Sequence, residues 1–72
     1  MKKLTEIYVG IIIEDNGDEA IPALNLDGEW YPACGSVLKN VQIVRECFRR
    51  HQPDRKFEIF KFSNREIVCS AD

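Results

Sequence analysis

The chain has 72 residues, of which 44% are hydrophobic and 31% charged, with only four Gly and three Pro. That argues for one folded domain over 1–72 and against disorder, and a domain this small usually draws help from a disulfide, a metal or a second copy. The net charge of −2 and the pI of about 5.3 argue against a strongly basic, dedicated nucleic-acid protein.

Met1-Lys2-Lys3-Leu4 opens like a secretory leader. Glu6 interrupts it, and the apolar run ends in Glu14-Asp15 instead of small residues at a cleavage site. The run is also too short to span a bilayer. A cytoplasmic chain with no membrane contact is expected.

The first strand is predicted over Leu4–Ile13. Val and Ile are stiff in a helix and pack well on a pleated surface. Alternation puts Ile7, Val9, Ile11 and Ile13 on one face, with Tyr8 and Ile12 on the other. Asn16-Gly17 then reads as a hairpin turn of type I′. The return strand, Ala20–Leu24, contains Pro22, which cannot donate to a ladder and marks an edge or a break. A second turn is expected over Asn25-Leu26-Asp27-Gly28, followed by a short strand, Glu29–Pro32.

Ser36 is a suitable N-cap. The helix is predicted from Val37 to His51, with Val37, Val41, Val44 and Phe48 forming one apolar stripe and Ile43 lying off it. Arg49, Arg50 and His51 complement the dipole at its end, and Pro53 stops it. Lys56–Phe62 is the next strand, with Phe57 and Ile59 on one side and Phe60 and Phe62 on the other. Glu66–Cys69 is read as a final short strand, or Phe57–Val68 as one long bulged strand. The expected fold is α+β, in β-β-β-α-β order: a small, mainly antiparallel sheet of three to five strands with one helix on one face.

Little points to catalysis. The carboxylates gather at turns, where Asp and Asn serve local geometry. Cys34-Gly35-Ser36 precedes the helix, but His51 lies at its far end, more than about 20 Å away at 1.5 Å per residue. The glycines are scattered and form no phosphate loop. Cys34, Cys47 and Cys69 show no paired spacing and read as small buried hydrophobes in a reducing compartment. Cys47 and His51 share a helical face, but two ligands do not make a zinc site. No enzyme activity, metal or cofactor is expected.

Three surfaces remain as candidates. One helix covers one face of a small sheet, so the second face needs a partner or the chain's own loop. Tyr8 and Ile12 with Phe60 and Phe62 are expected to form that face, extended by Trp30 and Tyr31, as a protein–protein interface and most simply a homodimer. The competing reading folds Trp30 and its loop back over the face. The second candidate is a basic cluster of Arg45, Arg49, Arg50, Arg55 and Lys56 that would contact nucleic acid. The third uses the acidic first half, seven carboxylates against two lysines in residues 1–36. There Asp15, Asp18, Glu19, Asp27 and Glu29 would imitate a phosphate backbone and block a nucleic-acid enzyme. The second half holds eight basic residues against five acidic, so simple attraction between the halves also accounts for the asymmetry. The preferred reading is a small interaction or regulatory protein, and its size suits a bacterial or phage accessory role.

Overall fold

The structure, a computed structural model, describes residues 3–69. The leader-like start at Met1-Lys2 lies outside them. The fold is α+β, with a single helix among the described residues packed against antiparallel strands. Strand β1 (Ile7–Ile13) is central. On one side it pairs with two short strands, β2 (Glu19–Ala20) and β5 (Cys34–Gly35); on the other it pairs with β6 (Phe57–Phe62). Strands β3 (Ala23–Leu26) and β4 (Glu29–Pro32) form a separate hairpin. Ile21-Pro22 splits the expected return strand in two, and the Pro22 carbonyl accepts from the Ala33 N–H at 2.9 Å.

The type I′ geometry expected of the first hairpin turn is found at the second instead. After β1, Gly17 N–H donates to the Glu14 carbonyl (2.9 Å) and Glu14 N–H to the Asp18 carbonyl (2.8 Å). Gly17 has φ +90° while Asn16 does not have a positive φ. This is a three-residue loop, a type I turn closed by a left-handed glycine, and not the expected type I′. Asn16 fills its Asx role, its Oδ1 accepting from the Asp18 N–H at 2.9 Å. The type I′ turn lies at Asp27-Gly28, where both φ values are positive (54° and 88°) and Leu26 pairs with Glu29.

Helix α1 spans Leu38–His51. Val37, not Ser36, takes the N-cap position, and no side chain caps it. Val41 and Phe48 of the expected stripe are buried and Val44 packs against the core, while Val37 at the helix entry and Ile43 are exposed. The helix covers the face of the sheet that carries Ile12 and Phe57. Phe48 meets Phe57 with ring centroids 5.4 Å apart, and Ile12 and Ala33 complete the cluster. Gly10 sits under the Phe57 ring, and a Cβ there would fall within contact of that ring and of the Ala33 Cβ. A glycine is therefore required at this point of β1, for space and not for φ.

From Ser63 to Cys69 the chain runs without regular structure, so neither the short strand at Glu66–Cys69 nor the long strand to Val68 forms. Ile67 and Val68 stay exposed; no neighbouring strand offers them a ladder. No helix among the described residues is long and apolar enough to cross a membrane. The radius of gyration is 14.0 Å, against about 11 Å for a compact chain of this length.

Candidate functional site: the open face of the sheet

The β1–β6 register decides which side chains share a face. Val9 is opposite Phe60, Ile7 opposite Phe62 and Ile11 opposite Glu58. Residues opposite one another point to the same side. The face away from α1 therefore carries Ile7, Val9, Ile11 and Ile13 together with Phe60 and Phe62. Val9, flanked by Phe60 and Cys34, is 6% exposed; Phe60 and Phe62 are 43% and 49% exposed. Ile7 and Ile13 are exposed too. One end of the face has a polar rim of Glu19, Lys56 and Glu58. There Lys56 Nζ lies 2.8 Å from Glu58 Oε1, and this carboxylate raises the lysine pKa above its ordinary value.

This corrects the expected grouping of Tyr8 and Ile12 with Phe60 and Phe62. Tyr8 lies opposite Lys61 and Ile12 opposite Phe57, both on the helix side, and Ile12 is 5% exposed within the core. Alternation divides each strand into two faces, but a cross-strand register shifted by one residue exchanges the faces that meet. Gly10 was the usable signal. It shares a face with Tyr8 and Ile12, and a glycine inside a strand often marks close approach by another layer.

Trp30 and Tyr31 belong to neither side of the main sheet. Their strand, β4, pairs only with β3, and the hairpin stands beside α1. Tyr31, Leu24 and Leu26 line an apolar groove of about 410 Å³ with Val44 and Cys47 of the helix. Trp30, 67% exposed, borders a neighbouring groove with Phe48 and Arg50. The expected extension of the Phe60–Phe62 patch by these aromatics does not form, and Trp30 does not fold back over the open face. The hairpin leaves β2 at Pro22 toward the helix instead.

The basic residues are mostly engaged. Arg49 lies 3.9 Å from Glu46 and Arg55 3.5 Å from Asp15, while Lys56 holds Glu58. Arg45 Nε donates to the Phe57 carbonyl at 3.2 Å. Among the described residues, Arg50 alone of the five makes no ion pair or hydrogen bond. The acidic residues divide between two turns: Asp15, Asp18 and Glu19 beside the first, Asp27 and Glu29 at the second. Glu29 accepts from the Tyr31 hydroxyl at 2.9 Å. Arg55–Asp15 does join the basic and acidic halves, but an exposed pair of this kind contributes little. No group of three metal-ligating side chains occurs among the described residues. Cys34 and Cys69 are exposed and Cys47 half-buried, so the cysteines are not the core hydrophobes expected of them; Cys34 and Cys47 form no disulfide.

The accessible surface is 6263 Å². A folded monomer of 8.3 kDa exposes about 4,600 Å². Exposed large apolar side chains lie on the open face (Ile7, Ile13, Phe60, Phe62), on the hairpin (Leu26, Trp30, Tyr31) and at Ile67 and Val68. No protein-family model, curated protein or solved structure matches this chain.

Proposed function

We propose that the protein is a non-enzymatic interaction protein of the cytoplasm that works as a homodimer, joined through the open face of its sheet. The observation that carries this reading is the uncovered apolar cluster of Ile7, Ile13, Phe60 and Phe62 around the buried Val9. Monomers rarely leave such a patch in water. Two sheets can pack face to face about 10 Å apart with their side chains interleaved.

The test is sedimentation equilibrium of the wild type and of Phe60→Asp. The wild type is expected at twice 8.3 kDa. The variant should keep its helical circular dichroism and dissociate, its dimer weakened by about a hundredfold or more, because the new carboxylate has no partner in the apolar contact. A monomeric wild type, or a variant that dimerises as tightly as the wild type, refutes the proposal.

A further inference from the structure

Strand β6 is an edge, and the phase of its hydrogen bonds follows from β1. Gly10 N–H donates to the Ala33 carbonyl at 2.7 Å, on the β5 side. In an antiparallel ladder a residue directs its N–H and C=O to the same side. Tyr8, Gly10 and Ile12 therefore bond toward β5 and β2, and Val9 and Ile11 bond toward β6. On β6, Glu58, Phe60 and Phe62 bond inward, while Phe57, Ile59 and Lys61 present their backbone groups outward. The Phe57 carbonyl confirms the phase, because the Arg45 side chain reaches round to donate to it. Among the described residues, Ile59 and Lys61 keep their outward N–H and C=O groups without a strand partner.

A groove of about 540 Å³ runs along this edge, between β6 and the first half of α1. Tyr8, Ile59, Leu38 and Gln42 line it, and so do two cations, Arg45 and Lys61. Lys61 has no ion-pair partner among the described residues, whereas the carboxylate bordering the groove, Glu58, already holds Lys56. We propose that this edge and groove bind an extended acidic segment of a partner protein by strand addition. The Ile59 and Lys61 backbones would pair with it, while alternate side chains enter the groove and its carboxylates meet Arg45 and Lys61.

A second copy of β6 is the poorer occupant. Antiparallel self-pairing sets Lys61 opposite Phe57 or Ile59 of the other copy, beside the Arg45 that holds the Phe57 carbonyl. Lysine on an edge strand opposes such pairing, and here it selects the opposite charge. Strand addition with backbone bonds for affinity and alternating pockets for specificity is an established recognition mode. Phe60 of the open face also borders the groove, but the pairing backbone groups are those of Ile59 and Lys61, whose side chains lie on the helix side of the sheet and outside the open-face cluster.

The experiment pans the full-length protein, immobilised, against a random seven-residue peptide library displayed on phage. Affinity and amide exchange are then measured for one enriched synthetic peptide. Enrichment of Asp or Glu alternating with Val, Ile or Thr is expected, with new exchange protection at the Ile59 and Lys61 amides. Lys61→Glu should weaken that peptide by about tenfold or more through lost charge-assisted contact. Lys61→Pro, which removes an outward N–H and leaves the β1 ladder intact, should do the same. Both variants should keep the oligomeric state of the wild type. No enrichment, enrichment of basic peptides, protection elsewhere, or a peptide indifferent to both Lys61 variants overturns the proposal.

Discussion

Replacing Gly10 with alanine tests the packing directly. The added methyl group would overlap the Phe57 ring and press on the Ala33 Cβ. Neither neighbour can yield freely. Ala33 is wholly buried, and Phe57, 4% exposed, is held by the Phe48 ring. Inserting a methyl group into a well-packed site costs about 1–3 kcal/mol. A chain of 72 residues has a total stability of roughly 4–11 kcal/mol, so the loss is a large fraction. At about 4–8 °C per kcal/mol for domains of this size, the melting temperature should fall by roughly 5–20 °C. Differential scanning calorimetry at one fixed protein concentration gives the value, since the proposed dimer would make Tm concentration-dependent. Phe57→Leu shortens the obstructing side chain, so the double variant should be more stable than the two single losses predict, with a coupling of about 1–2 kcal/mol. A melting temperature for Gly10→Ala within about 2 °C of the wild type, or strictly additive variants, would refute the claim that β1 needs a glycine to admit the Phe57 ring.

The other glycines should separate by conformation and not by crowding. At Gly28, φ is +88° and a Cβ would meet nothing, so Gly28→Ala should cost only the left-handed backbone penalty of about 1–2 kcal/mol, read by urea denaturation with an unchanged m-value. Gly35 has the same open space without a positive φ, so Gly35→Ala should be neutral or stabilise by up to about 1 kcal/mol; a clear loss of stability there would contradict the open edge at β5. Asp15→Asn removes the exposed pair with Arg55 and should change stability by less than about 1 kcal/mol. A larger loss by the same assay would mean that attraction between the acidic and basic halves holds the fold together.

Local features of the sequence determined much of this protein. The β-branched run of β1, the break at Pro22, the amphipathic stripe of α1 and its stop before Pro53 all depend on neighbours within a few residues. They were legible because propensity, periodicity and backbone blocking act at that range. Turn type was harder. Asn16-Gly17 and Asp27-Gly28 both permit positive φ, and loop length decided which became the type I′ turn. The candidate site was read only in part. Alternation alone puts Phe60 and Phe62 together, but their companions are Ile7, Val9, Ile11 and Ile13, not Tyr8 and Ile12. Alternation divides each strand into two faces without saying which face of one strand meets which face of another. That choice was made in three dimensions by the β1–β6 register, and by the fit of the Phe57 ring into the space over Gly10. The position of the hairpin, which carries Trp30 and Tyr31 to the helix and leaves the open face bare, is likewise a tertiary outcome. It depends on β3 packing against α1 after Pro22 ends the ladder, and no short window of sequence contains that information.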